Sequence, residues 1–217
     1  MVEMGARVGR KVTAVISGMD QPLGMNIGNS LEVMEAIDIL KGEAGGDLLE
    51  VSLTLGAHML LLAGRAADVD EGRALLMEQI RNGRGLAKFR ELLRQQGGDD
   101  RVIEDRGLLP LSPVRAEVLT EQGGYITHMD TALIGRAAQE TGAGRMRKGQ
   151  PLDFGAGIIM KKRLGDTVRK GETLAEVYSA SEEKCGSAAA FLRQAVSIGK
   201  EKAEIPPLVL KVIGEKG

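Results

Sequence analysis

The sequence predicts an α+β or α/β protein of 217 residues. It divides into part of a mixed-sheet α/β lobe with helices at residues 1–96, a linker at 97–113, and a small β-rich domain at 114–217. Three observations carry this reading. One β-branched run flanked by glycines, Lys11–Ser17 (KVTAVIS), is the one strong strand signal ahead of four helical segments. Gly97–Pro113 (GGDDRVIEDRGLLPLSP) is charged and glycine-rich and ends in spaced prolines, the composition of an inter-domain connection. Beyond it the pattern changes to short apolar runs punctuated by Gly, Asp and Pro.

In chain order, Gly18–Gly28 reads as a loop after the strand, and Asn29 with Glu32 forms a capping-box start for a helix ending near Gly42. Asp47 with Glu50 opens a mostly apolar segment to about Ala67. Asp68 with Glu71 opens a helix that Gly83 closes, and a fourth helix runs to Gln96 before Gly97–Gly98. A lone strand cannot pair its own backbone groups. Its partners therefore lie upstream, with Met1 an internal residue of a longer protein, or they come from the second half. There, Val114–Thr120, Gly124–His128, Gly155–Lys161, Thr167–Val168, Glu172–Ser179 and Leu208–Ile213 read as strands. Helices fit Thr131–Glu140 and Glu182–Val196, the latter opened by Ser179 and Glu182.

Composition narrows the function classes. With 43% hydrophobic and 27% charged residues the chain has the balance of a globular protein. Aromatics are 2% and Trp is absent, so base-stacking surfaces are scarce. A net charge of −1 gives no summed field for nucleic acid or anionic lipid. The longest apolar run, Met59–Ala63, is too short to span a bilayer. The expectation is a cytoplasmic protein with neither a nucleic-acid nor a membrane partner. A single Cys185 excludes an internal disulfide, and one Cys with two His has no zinc-site spacing.

Candidates for chemistry are few. His58 lies mid-helix among apolar neighbours and reads as a structural histidine, and His128 at a strand end reads as a surface residue. Cys185, next to Lys184, reads as a packed thiol. Gly142–Gly149 (GAGRMRKG) could present N–H groups and the cations Arg145, Arg147 and Lys148 to a phosphate, although its spacing matches no phosphate-loop fingerprint. Ile158–Tyr178 (IIMKKRLGDTVRKGETLAEVY) is similar to the hammerhead of biotinyl and lipoyl carrier domains. Lys161 and Lys162 precede its Gly165–Asp166 turn, however, and Tyr178 leads into a helix where a carrier has its modified lysine. The fold is kept without the attachment point.

Taken together, Gly9–Asn29 (GRKVTAVISGMDQPLGMNIGN), Leu31–Gly42 (LEVMEAIDILKG), Leu53–His58 (LTLGAH), Asn82–Phe89 (NGRGLAKF), Gln95–Asp99 (QQGGD), Gly142–Arg145 (GAGR) and Gly157–Leu174 resemble the carboxyl-terminal half of the bacterial pyrimidine-nucleoside (thymidine/uridine) phosphorylases. The resemblance implies a pentosyltransferase of nucleoside salvage, with phosphate and a pyrimidine nucleoside as substrates and no organic cofactor. It also implies that the groups holding phosphate and base lie upstream of this chain. No catalytic residue is then expected here, and the isolated chain should be inactive. Implied partners are the amino-terminal half and, for the complete enzyme, a second copy in a homodimer. The resemblance further implies part of a potassium site at the main-chain carbonyls of Leu23 and Asn26 and the carboxylate of Glu35. The alternative reading is a non-catalytic scaffold or carrier-like binding module.

Overall fold

The structure, a computed structural model, describes residues 1–214. In chain order its elements are α1 (Val2–Arg7), β1 (Ala14–Ser17), β2 (Asn26–Ile27), α2 (Asn29–Lys41), α3 (Asp47–Leu62), α4 (Val69–Arg81), α5 (Arg84–Gln95), β3 (Val114–Leu119), β4 (Gly124–Met129), α6 (Thr131–Thr141), β5 (Gly157–Met160), β6 (Thr167–Val168), β7 (Thr173–Ser179), α7 (Glu182–Ala195), β8 (Val196–Gly199) and β9 (Val209–Ile213). Two short 3-10 turns, Asp100–Ile103 and Arg106–Leu108, lie in the stretch read as a linker. The chain is mixed α and β, and its later part is β-rich. It forms two compact units, one of Met1–Gly18, Ile37–Gly98 and the segment from Pro207 onward, the other of Met19–Ala36 and Asp99–Pro206.

In the first unit β1 pairs antiparallel with β9, Ala14 opposite Ile213 and Ser17 opposite Val209, in a two-stranded sheet. Of the two sources the sequence left open for a partner of the lone strand, the described residues supply one from the second half. The helices α3 and α4 pack through small residues. Ala57 is fully buried, and a Cβ at Gly72 would lie 3.0 Å from the Ala57 Cα, so glycine at 72 is what allows the two backbones to approach. Asp68 caps α4 by accepting the Glu71 N–H at 2.8 Å, while the Glu71 carboxylate accepts the Ala67 N–H at 2.6 Å.

The second unit holds a four-stranded antiparallel sheet in the order β2-β5-β7-β3 and a three-stranded sheet in the order β6-β4-β8. The helices α6 and α7 pack on each other, with Ala137, Ala188 and Ala195 fully buried. From Ala175 onward along β7, Ala175 and Val177 enter a core with Val118, Ile126, Ile158 and Leu192, while Glu176 and Tyr178 stay partly exposed, the alternation of a sheet covered on one face; Leu174, at the register shift, is buried too. The turn at Gly165 has φ +85 and the turn at Gly171 has φ +80, left-handed conformations that favour glycine.

Several local expectations are corrected. The strand β2 forms inside the stretch read as a loop, and α1 and β8 carried no sequence signal. At α2 the Glu32 carboxylate accepts the Gly28 N–H at 3.0 Å, but Asn29 is already the first residue of the helix, and its side chain donates to the Ala143 carbonyl at 3.3 Å. The cap of α3 is Gly46, without a side-chain bond, and α3 stops at Leu62 ahead of Gly64. The cap of α7 is Ser181, whereas Ser179 is fully buried and donates to the Thr141 carbonyl at 2.7 Å. A serine facing an apolar core takes the nearest buried carbonyl rather than a helix end.

Candidate functional site

The segment containing Leu23, Asn26 and Glu35 is held by three sets of bonds, all within the second unit. First, β2 joins the four-stranded sheet, with Asn26 opposite Ile159 and Ile27 opposite Ile158, and the Met25 carbonyl accepts the Met160 N–H at 2.8 Å. Second, Glu35, in the second turn of α2, reaches back to the loop. Its Oε1 accepts the Met25 N–H at 2.8 Å and its Oε2 the Asn26 N–H at 3.0 Å. Asn26 adds a bond from its own Nδ2 to the Leu31 carbonyl at 2.8 Å. Third, Arg163 donates to the carbonyls of Pro22 at 3.1 Å and Leu23 at 3.4 Å, and the Gln21 side chain accepts the Leu164 N–H at 3.0 Å.

The structure therefore brings Glu35 against the backbone of residues 24–26. The Leu23 carbonyl faces a guanidinium. A carboxylate accepting one N–H at each oxygen keeps further lone pairs on both, and main-chain carbonyls beside a carboxylate are a donor set that suits a weakly hydrated monovalent ion, although Arg163 already binds the Leu23 carbonyl. The donors fit such an ion in kind. Among the described residues no group of three or more His, Cys, Asp and Glu side chains converges on a metal position.

The other candidates are not brought into a reactive arrangement. His58 is half-buried on α3, and His128 is exposed on β4 opposite Ser197. Cys185 is buried, its Sγ 3.8 Å from the Val114 carbonyl, and burial, then the charge of Glu182, pushes its thiol up. The thiolate needed for nucleophilic chemistry is thereby disfavoured. The basic stretch Gly142–Gly149 follows the carboxyl end of α6, where the Met146 N–H is bound by Gln150 Oε1 at 3.2 Å and Arg145 Nε by the Gln150 carbonyl at 3.1 Å. That end of a helix attracts cations and presents carbonyls, which is the opposite of an anion cradle.

Sequence reasoning missed a charged lattice on the exposed face of the four-stranded sheet. Glu117 on β3 and Glu176 on β7 are directly opposed, a pairing that like charges disfavour. Arg115 bridges them, its Nη2 2.9 Å from an oxygen of each, and Lys161, just past the end of β5, reaches Glu176 at 3.0 Å. Arg115, then Lys161, holds the Glu176 carboxyl down to about 2 against the opposing effect of burial. The Tyr178 hydroxyl donates to Glu176 at 3.0 Å and is pushed up, first by burial and then by that bond. Every member is satisfied by another, so the lattice is a structural one. Strand alternation places these residues on one face, but the register that opposes them is not readable from sequence.

Comparison with known proteins covers most of the chain. Residues 1–86 match the family described as glycosyl transferase family, a/b domain, and residues 125–199 the one described as pyrimidine nucleoside phosphorylase C-terminal domain. Over 215 residues, 99% of the chain, the sequence is 43% identical to a pyrimidine-nucleoside phosphorylase of Bacillus subtilis (strain 168). The chain belongs to the pyrimidine-nucleoside phosphorylase family. A second relative, the pyrimidine-nucleoside phosphorylase of Geobacillus stearothermophilus, is 40% identical over 209 residues, 96% of the chain. The matched regions make up 49% and 48% of these two proteins, so the chain spans about half the length of the curated relatives it matches. No helix among the described residues is long and apolar enough to cross a membrane.

Proposed function

We propose that this chain is the carboxyl-terminal part of a pyrimidine-nucleoside phosphorylase. In that reaction an oxygen of phosphate attacks the anomeric carbon of thymidine or uridine. The glycosidic C–N bond breaks with its electron pair going to the base, which leaves protonated, and pentose 1-phosphate is the second product. The observation that carries the reading is the 43% identity extending over 99% of the chain to a pyrimidine-nucleoside phosphorylase. The groups that hold phosphate and base belong, in this reading, to the part of the relatives that the chain does not match. The isolated chain is then inactive, because transition-state stabilisation needs donors already placed at the reacting phosphate and sugar.

The contribution of this chain is the braced segment around Leu23, Asn26 and Glu35. The main-chain carbonyls of Leu23 and Asn26 and the Glu35 carboxylate would hold a potassium ion, which supplies fixed positive charge beside the loop. Support comes from the position of Glu35 against residues 25 and 26, and Arg163 would have to release the Leu23 carbonyl for the ion to take it.

The test is a chimera in which this chain replaces the matching half of the Bacillus subtilis relative. With thymidine or uridine and phosphate, release of free base and pentose 1-phosphate is expected, and the isolated chain should give none. A folded chimera that releases no base above a no-protein control overturns the reading.

A further inference from the structure

The helix α3 is apolar apart from one flank, which carries Asp47, Glu50, Thr54 and His58. From Val51 to Leu62 it carries no Asp, Glu, Lys or Arg. One side is already covered: Ala57 lies against Gly72 of α4, and a Cβ at Gly56 would sit 2.6 Å from Leu76. On the opposite side Leu48, Ser52, Leu55, Met59 and Leu62 recur in steps of four, three, four and three. That alternation draws a straight strip along a helix and is the spacing of a helix-to-helix seam. Leu55 is 45%, Met59 69% and Leu62 40% exposed. Ser52, the polar residue of the strip, donates its hydroxyl to the Leu48 carbonyl at 2.7 Å, so its hydrogen bond is made within the helix and not to solvent. A helix whose second face met only water would place charged residues at these positions, as α4 and α5 do on theirs.

A second observation in the same unit points the same way. The β1–β9 pair is two-stranded, with Ile16, Leu210 and Val212 exposed by 43% to 53%. A ribbon of two strands is marginal without a further layer or strand. The curated relatives contain about as much chain again as the part matched here, which is an occupant of suitable size.

We propose that the strip Leu48, Ser52, Leu55, Met59 and Leu62 is the docking surface for the unmatched half of the phosphorylase fold. The inference rests on the family reading above and adds to it the surface that joins the two parts. A second copy of this chain is the competing occupant.

The chain is co-expressed with a tagged unmatched half of the Bacillus subtilis relative, and association is measured by co-purification and sedimentation, without reference to catalysis. A one-to-one complex is expected, weakened roughly tenfold or more by Met59→Lys or Leu55→Gln. Leu92→Lys, at a 49% exposed apolar position on α5, should leave it unchanged. The melting temperature of the isolated chain should not fall with Met59→Lys. Four results overturn the proposal: no complex with the wild-type chain, a complex indifferent to both strip variants, a melting temperature lowered by Met59→Lys, or a dimer of the chain alone that Met59→Lys dissociates. A strip-dependent complex without phosphorolysis would count against the proposed reaction and leave the docking surface standing.

Discussion

The carboxylate of Glu35 occupies the space that a side chain at residue 24 would need: a Cβ on Gly24 would lie 2.4 Å from Glu35 Oε2. That oxygen is tethered, since the carboxylate holds the N–H groups of both Met25 and Asn26. Gly24→Ala should therefore expel Glu35 and lose two charge-assisted bonds. The expected destabilisation is about 2 kcal/mol, from the usual worth of hydrogen bonds to charged groups. Urea unfolding of the variant reads it directly, and a midpoint equal to wild type would mean that Glu35 moves aside freely.

The same carboxylate gives the cation prediction. In the chimera, potassium should raise the melting temperature relative to a large organic cation, and Glu35→Gln should shrink that difference. An unchanged difference would remove Glu35 from the ligand set. The comparison is made within each variant, so loss of the loop bonds alone does not imitate the result.

Acid stability should follow Glu176. Its folded value is depressed from the usual 4.5 to about 2, so its ion pairs contribute fully above about 4.5 and are lost as pH falls through about 2. The stability gap between wild type and Glu176→Gln should be constant near neutrality and close between those two values. Denaturant titrations at stepped pH measure it, and a gap that widens on acidification would contradict the Arg115 and Lys161 pairing.

No lysine should accept biotin or lipoate. Lys161 is paired with Glu176 and Lys162 with Glu172, and β7 runs through Ser179 into α7 without the exposed hairpin tip that a carrier modifies. Intact mass after co-expression with either ligase should be that of the bare chain. An added cofactor mass would revive the carrier-like module.

Limited proteolysis should divide the 97–113 stretch unevenly. Val102 and Ile103 are 7% and 1% exposed, whereas Gly97 and Gly98 are exposed and Leu108 and Leu111 are 44% and 47% exposed. First cuts are expected beside the glycines or the leucines. Cleavage at Val102–Ile103 before either would show that the 3-10 turn there opens easily.

The sequence made some of this architecture legible and hid the rest for physical reasons. Asp68 and Glu71 are local partners, so the start of α4 could be read from spacing alone. Ser179 could not be separated from Ser181 as a cap, because the choice depends on the Thr141 carbonyl, which comes from another element. The short β2 exists through its pairing with β5, and nothing intrinsic to Asn26 and Ile27 announces it. For the candidate site, Leu23, Asn26 and Glu35 came from resemblance, and the structure adds braces from far away in sequence, Arg163 directly and Leu164 through the Gln21 side chain. Long-range partners of that kind leave no periodic trace.

The pairing of Ala14 with Ile213 has a consequence for biosynthesis. The strand β1 is synthesised long before its partner β9, so it must wait while the residues between them are made, with Val15 and Ile16 unpaired. Contacts so distant in sequence are slow to form, and a waiting apolar strand is an aggregation hazard. Lys11 and Arg10, immediately before it, put positive charge beside the exposed run and act as gatekeepers during that interval.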